Sequence, residues 1–364
     1  LKTDFIESND LADLFLKKTP LIDVRAPIEF SLGTLPGAIN LSILNDEERA
    51  NIGTVFKKRG PEAALKLGHE LVSGTLKEER IEHWLSFIGS HPDAVLFCFR
   101  GGQRSQITQS WLKERGVSRP IIRNGYKFAR QYLTEQISLF TQTKQFLSLA
   151  GPTGSGKTLL LDEVSNFYPV IDLECLARHR GSAFGAQEIE QPSQIDFEHQ
   201  LAFEIMKLSG ENRPVLIEDE SRLIGRSVLP KEFFEKLIQS PSVLIEESVE
   251  ARTENIFQDY IMGSAIGRFE TDKGLLVFQK YQKSLMAISK RLGGARTKEI
   301  SDLLVQSEKD FLNSKNLEPN RAWIRRLLVD YYDPMYSIGL TKRKHLVTFS
   351  GSRSACREFL RAQP

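Results

Sequence analysis

Cysteine is scarce in this chain: Cys98, Cys175 and Cys356 are the only three among 364 residues, and they lie far apart. That spacing makes neither a zinc signature nor a disulfide framework, and it fits a reducing compartment. Long apolar runs are missing as well; none approaches the ~18 residues of a membrane-spanning helix. The opening LKTDFIESND lacks a signal-peptide pattern. A cytoplasmic location is therefore expected and, since the sequence starts at Leu1, so are a few preceding residues. Neither sign of charge dominates: 49 Lys plus Arg face 47 Asp plus Glu, a net charge of +2. Any nucleic-acid surface must then be a local basic patch. No internal repeat or low-complexity tract is present. With 40% hydrophobic and 26% charged residues, wholesale disorder and collagen are excluded. The length suits about two domains.

What is there alternates between strand and helix. Leu21–Val24, Ile39–Leu41, Ala94–Phe97 and Ile121–Ile122 are short apolar strands. Ile81, Trp84, Leu85 and Ile88 follow the i, i+3, i+4, i+7 spacing of an amphipathic helix, and 104–115 resumes it through Ile107, Trp111 and Leu112. Gly116 is a candidate C-cap, and Asn124-Gly125 a turn. Such alternation implies a mainly parallel sheet covered on both faces. Residues 126–144 read as a helical connector. A second α/β unit begins at Gln145–Ala150, with further strands at 170–172, 215–217 and 243–245. A charged helical stretch runs from about 250 to 330, and 345–350 is a late strand or packing arm.

Cys98-Phe-Arg100-Gly101-Gly102-Gln103-Arg104-Ser105 falls between a predicted strand and helix. Glycines let the backbone curl so that successive N–H groups point inward, the helix start adds partial positive charge, and two arginines add full charges. A thiolate is stabilised in such a place and an oxyanion is bound beside it. This loop resembles that of the rhodanese superfamily over residues 5–130. A second signature, Leu21-Ile-Asp-Val-Arg25…Glu29-Phe30…Gly33…Pro36-Gly37-Ala38, supports the resemblance, with Thr34 where many members have His. It implies that Cys98 carries sulfur or selenium. The spacing Cys98 to Arg104 is C-x5-R, one residue longer than the common sulfurtransferase loop and similar to rhodanese-fold phosphatases and arsenate reductases. Two chemistries stay open at this point: phosphoryl transfer, or chalcogen capture with phosphate leaving.

Gly151-Pro-Thr-Gly154-Ser155-Gly156-Lys157-Thr158 matches G-x-x-x-x-G-K-[ST] between an apolar strand and a helix. The backbone can cradle a diphosphate, Lys157 can reach the outer phosphate, and the Thr158 hydroxyl can hold Mg²⁺. Asp219 and Glu218, at the end of strand 215–217, are candidate Mg²⁺ or phosphate-site carboxylates, with Asp219 preferred; Arg222 and Arg226 could pair with phosphate. For RNA contact the candidates are Arg178 and Arg180, and the basic, aromatic stretch 321–346 with Arg325, Arg326, Lys342 and Arg343.

The whole chain resembles the bacterial tRNA 2-selenouridine synthase family. The resemblance rests on the cysteine and phosphate loops together with Arg180–Gly185, Glu218–Arg222 and Tyr331–Tyr336. It implies an α/β enzyme: a rhodanese-like domain over 1–128, a helical connector over 129–144, and a P-loop NTPase-like α/β domain with a helical extension over 145–364. It implies a soluble monomer that S-geranylates a wobble 2-thiouridine of tRNA from geranyl diphosphate and then replaces the S-geranyl group with selenium from selenophosphate. No tightly bound cofactor is expected beyond Mg²⁺. In this scheme Cys98 forms a selenopersulfide, and Arg100, Arg104, Gly101, Gly102, Gln103 and Ser105 surround the oxyanion. The phosphate loop seats geranyl diphosphate, and Leu275, Leu276, Val277 and Phe278 are candidates for the geranyl groove. The alternative is a C-x5-R phosphatase or sulfurtransferase regulated by a nucleotide-binding domain.

Overall fold

A computed structural model of the chain describes residues 4–185, 189–263 and 273–363; the side chains of 273–275 and of Lys342 lie outside this set. Two compact units emerge. The first comprises Leu1–Phe140 and Pro192–Gly210, the second Thr141–Gln191 and Glu211–Pro364. No helix among the described residues is long and apolar enough to cross a membrane.

The first unit is built on five short strands: β1 (Phe5–Ile6), β2 (Leu21–Asp23), β3 (Ala38–Asn40), β4 (Val95–Phe97) and β5 (Ile121–Ile122). All pair in parallel in the order β1-β5-β4-β2-β3. Parallel strands need crossovers, and helices supply them: Asp46–Leu71 and Gly74–Ser90 lead from β3 to β4, and Gln103–Glu114 leads from β4 to β5. Asp46–Leu71 is broken at Gly60, whose φ of 85° precedes Pro61. The apolar periodicity of 81–88 and 107–112 is spent where expected: Trp84, Ile88, Trp111 and Leu112 pack with Ile22, Val24 and Leu96.

The Asp23-Val-Arg25 signature has a structural use. Arg25 is 2% exposed and forks onto Asp23 at 2.5–2.9 Å. It also donates to the Gly33 carbonyl and lies 3.9 Å over the Tyr126 ring. Thr34 donates its hydroxyl to the same Asp23 carboxylate.

The second unit holds strands β6 (Phe146–Ala150), β7 (Val170–Ile171), β8 (Val215–Glu218), β11 (Ser242–Ile245) and β12 (Val347–Gly351) in the parallel order β12-β11-β6-β8-β7, plus an antiparallel hairpin of β9 (Leu223–Ile224) and β10 (Ser227–Val228). The late segment is thus an edge strand. The helices Lys273–Leu292, Gly294–Ser314 and Asn320–Leu327 close on their own core of Phe278, Tyr281, Phe311 and Trp323.

In space, residues 192–210, which the sequence reading runs into the P-loop domain, group with the first unit. The helix Gln194–Lys207 is capped by Ser193 and buries Phe197, Leu201, Ala202 and Ile205. It sits so close to Gly33 that a Cβ there would lie 2.6 Å from Ile195 Cγ2. The Thr34 N–H donates to Asp196 at 2.9 Å, and Thr34 O faces His199 Nδ1 at 2.7 Å. Burial, against the help of that carbonyl, pushes the His199 imidazole down to about 4. Amphipathic spacing shows that a helix buries one face, not which core receives it.

Candidate active sites: a cysteine loop and a phosphate loop

In the first unit, β4 ends at Phe97 and the helix Gln103–Glu114 starts after five intervening residues. The intervening turn is clamped from the far side: Tyr126 N–H donates to Cys98 O at 2.8 Å and Lys127 N–H to Phe99 O at 2.9 Å. This clamp requires two glycines back to back. Gly101 (φ +62°) and Gly125 (φ +60°) both adopt the left-handed region, and a Cβ on Gly125 would lie 2.3 Å from Gly101 N and Cys98 O.

Cys98 is 3% exposed, at the floor of the loop. Its Sγ lies 3.3 Å from the Ser105 hydroxyl, which itself donates to Gly102 O at 3.1 Å. Gly101 and Gly102 are half-buried, while Gln103 and Arg100 are exposed. Arg104 departs from expectation: its guanidinium is held by Glu29 at 2.5 and 3.1 Å, and Arg49 also reaches Glu29. Burial works against the Glu29 charge, yet the hydrogen bonds and charge of Arg104 outweigh it and hold the carboxyl below the usual range. The positive charge of Arg104 is therefore committed, and the exposed Arg100 is the freer cation.

In the second unit the phosphate loop joins β6 to the helix Lys157–Val164. Gly154 and Gly156 have φ of +81° and +84°. Gly154 has to be glycine, since a Cβ would lie 2.8 Å from Arg252 O. Lys157 Nζ donates to Gly151 O at 3.1 Å across the mouth of the loop, and Ser155 is 1% exposed. The helix Val249–Ile256 braces the outside: Asn255 donates to Gly154 O at 2.9 Å and Arg252 to Thr153 O at 3.3 Å. Arg252 is anchored by Asp333 at 2.7 Å through both amines. Arg353 reaches the loop too; a Cβ on Gly156 would meet its Nη1 at 3.2 Å. Sequence reasoning missed Asn255, Arg252 and Arg353, because each lies about a hundred residues or more from the loop and no local pattern announces it.

The acids divide differently from the reading above. Asp219, preferred there for Mg²⁺ and phosphate, is taken by Arg343 through both oxygens at 2.5 and 2.8 Å. Glu218 instead faces the loop, with Oε1 3.5 Å from Thr158 Oγ1, and Glu174 Oε2 lies 3.4 Å from the same hydroxyl. The reason is alternation in extended backbone: Glu218 ends β8, Asp219 follows it with its N–H on Leu149 O, and successive side chains point to opposite sides. Arg222 lies just before β9, exposed, and its Nε donates to Leu229 O at 3.5 Å.

Burial, then the charges of Glu174, Asp172 and Glu220, pushes Glu218 well above the ordinary carboxylate range. Burial also pushes Glu220 up to about 8; Lys157 opposes this, and Glu174 and Asp219 add to it. Such crowding fits a hard cation. Among the described residues no group of three or more His, Cys, Asp or Glu has metal-holding geometry. Thr158 with Glu218 or Glu174 offers the one or two protein oxygens that Mg²⁺ takes beside substrate phosphate and water. The folded Glu220 keeps a proton that the unfolded chain loses above about 4.5, so stability falls as pH rises from there to about 8. Glu220→Gln removes this titration. Its melting temperature is expected to gain on the wild type progressively through that window; a gap independent of pH would refute the assignment.

The RNA candidates are mostly paired. Arg180 binds Asp259 at 2.5 Å, Arg326 binds Glu299 at 2.8 Å and Asp330 at 3.0 Å, and Arg343 binds Asp219. Arg325 lies 3.6 Å from Glu250 and stays exposed, as does Arg178. Lys342 lies outside the described side chains. The expected geranyl groove is also corrected. Val277 and Phe278 are 8% and 1% exposed inside the helical core, Leu276 points to solvent at 61%, and the Leu275 side chain lies outside the described set.

The stretches Arg180–Gly185 and Tyr331–Tyr336 share one buried cluster, which holds Phe184 and Tyr331, and Ser182 and Tyr332 line a small pocket with Thr153 of the phosphate loop. Ser182 Oγ bonds the Tyr260 hydroxyl at 3.0 Å, and Phe184 stacks on Trp323. Tyr336 is pushed up by burial and then by Asp219, with Arg343 opposing.

Residues 144–364 match the family model described as tRNA 2-selenouridine synthase AAA domain. The chain belongs to the tRNA 2-selenouridine synthase family. Proteins of that name from Nitrosomonas eutropha and Nitrosomonas europaea are 48% and 47% identical, each match covering 98% of both chains. One from Bdellovibrio bacteriovorus is 49% identical over 98% of both chains. Among solved structures, the N-terminal domain of an ATP/GTP binding protein from Clostridium difficile 630 aligns 35% of this chain with 98% of its own at 27% identity. Its TM-score of 0.32 is too low to inform the fold. Family membership rests on alignments that run nearly end to end, so it takes in the cysteine loop as well as the phosphate loop.

Proposed function

We propose that this chain converts 2-thiouridine in tRNA to 2-selenouridine by two transfers, one at each loop. The observation that carries the reading is the presence, on one chain, of a strand-to-helix cysteine loop and a separate glycine-walled phosphate cradle. The first unit is read as rhodanese-like. Its parallel sheet, with Cys98 at the end of the central β4, supports that.

At the phosphate loop the substrate is geranyl diphosphate. The 2-thiouridine sulfur attacks the first carbon of the geranyl chain, and diphosphate leaves with the bonding electron pair. Loop amides and Lys157 stabilise the departing charge. Thr158 and Glu218 would hold Mg²⁺, which supplies further charge neutralisation there. Arg353 is placed to add to it.

At the cysteine loop the donor is selenophosphate, with Arg100 and the loop amides on its tetrahedral oxyanion. Selenium in that donor is at the selenide level, so a selenopersulfide on Cys98 needs a balanced route. Hydrolysis of the P–Se bond gives selenide and phosphate. Selenide attacks Cys98 held as a mixed disulfide with a small thiol and expels that thiol. The Cys98 selenopersulfide then displaces geranyl thiolate at uridine C2. The small thiol cleaves the Se–S bond, giving 2-selenouridine and restoring the mixed disulfide. A C-x5-R phosphatase is disfavoured by the commitment of Arg104 to Glu29.

Mass spectrometry of nucleosides tests the scheme. Incubation of 2-thiouridine tRNA with the protein and geranyl diphosphate is expected to give S-geranyl-2-thiouridine, and adding selenophosphate together with a small thiol and its disulfide to give 2-selenouridine. Product forming without geranyl diphosphate, or hydrolysis of an aryl phosphate instead, would reject it.

A further inference from the structure

Beside the buried thiol stands a side chain that the scheme above does not use. Phe99, the residue after Cys98, is 38% exposed. A single exposed apolar side chain is ordinary. This one differs in how firmly it is held and in what surrounds it. Its carbonyl accepts from the Lys127 N–H at 2.9 Å, next to the Tyr126 N–H on Cys98 O. Its ring centre lies 6.3 Å from that of Tyr126, which is 4% exposed. The Arg25 guanidinium covers the Tyr126 ring at 3.9 Å and is itself fixed by the Asp23 carboxylate. A stack therefore runs from the buried Asp23–Arg25 pair through Tyr126 to Phe99, which carries its uncovered end. An aromatic surface pinned in this way loses little freedom on receiving a flat partner.

The charge around the ring has one sign. Arg104 and Arg49 are held by Glu29, and Arg123 by Glu7. Arg100, 5.8 Å from the Phe99 ring centre, and Lys127 are both exposed, and among the described residues no carboxylate lies within 4.0 Å of either. A fixed aromatic surface beside unneutralised cations suits an unstacked nucleotide, whose base lies on the ring and whose phosphates face the cations. An apolar peptide would leave both cations unanswered. The location agrees. A base that receives selenium has to bring its C2 to Cys98, and enzymes that work on a base take it out of its stack. Phe99 offers a replacement stacking partner one peptide bond from the cysteine.

We infer that Phe99 is the stacking platform for the target uridine of tRNA at the cysteine loop, and that Lys127 holds a phosphate beside that nucleotide. The inference rests on the reading of the cysteine loop as the site of selenium transfer, and it leaves Arg100 with the selenophosphate oxyanion. It places RNA contact away from Arg180, Arg326 and Arg343, which already have acid partners.

An anticodon stem-loop with 5-iodouridine at the wobble position is the probe, since light joins that base to an aromatic ring stacked on it, with loss of iodide. Irradiated with the full-length protein, it is expected to give an adduct that mass spectrometry of peptides locates at Phe99. Phe99→Leu keeps an apolar contact for Tyr126 and removes the flat face. It should lose the adduct and bind the stem-loop about fivefold or more weakly, and Phe99→Trp should restore both. Lys127→Ala should weaken binding and reduce the slope of log affinity against log salt by about 1, with the adduct still at Phe99. The wild-type adduct and the Lys127→Ala slope decide the matter even where Phe99→Leu lowers the melting temperature. An adduct found only elsewhere, full affinity in Phe99→Leu, or an unchanged salt slope in Lys127→Ala would each overturn the inference. None of these readouts needs turnover. If no selenated product forms and the adduct still maps to Phe99, the reading of the cysteine loop fails and the platform stands; if product forms and the adduct lies elsewhere, the platform fails and that reading stands.

Discussion

Cys98→Ser is expected to abolish selenium incorporation, by at least ~10³-fold, the scale seen when a nucleophile that works as a unit with its neighbours is removed. S-geranylation should persist, so the variant should accumulate S-geranyl-2-thiouridine. The separation follows from where the thiol lies. Cys98 sits at the floor of its own loop, against Ser105, in the first unit, whereas the phosphate loop belongs to the second. The substitution is mild for the fold. Serine is close in size, and a hydroxyl at the 3%-exposed position can still pair with Ser105 Oγ. A melting temperature near the wild-type value would confirm that chemistry, not folding, was lost. Undiminished 2-selenouridine from this variant would remove Cys98 from the reaction.

The mirror-image result is expected from Lys157→Ala: geranylation lost by roughly 100- to 1,000-fold, as for removal of one donor aimed at developing negative charge. Lys157 Nζ lies 3.1 Å from Gly151 O, across the space a diphosphate would enter. Selenation of a stem-loop already carrying the S-geranyl group should continue at the wild-type rate. A defect in both steps would mean that the phosphate loop serves the selenium transfer too, and the division of labour between the loops would be wrong.

Much of this architecture could be read from local sequence, and the parts that could not share a cause. Strands such as Phe146–Ala150 and Val95–Phe97 are continuous apolar runs, as strands buried on both faces must be. The two loops were legible because glycines and charges at fixed offsets follow such runs. Asn124-Gly125 was legible as a turn, but its role as the clamp on Gly101 was not, because the contact joins residues 24 apart. Choosing Asp219 over Glu218 failed at the end of a strand, where a one-residue difference reverses the direction of a side chain. Arg343, read as an RNA contact, is the residue that takes Asp219 instead; the pairing spans more than a hundred positions and leaves no periodic trace. Val277 and Phe278 looked like a groove because hydrophobicity marks a residue for burial without saying whether the space is open or already filled.

The helix Gln194–Lys207 makes separation by a single cut impossible. The backbone leaves the first unit after Phe140, returns at Pro192 and leaves again after Gly210. Expressing residues 1–143 alone would strip the cover from Gly33 and Thr34 and strand Asp196 and His199 on the other fragment, which would then carry a greasy helix with no home. Gene fusions, split versions or transplants of either half must therefore carry that segment along with the first half, as a separately supplied peptide or by rerouting the chain.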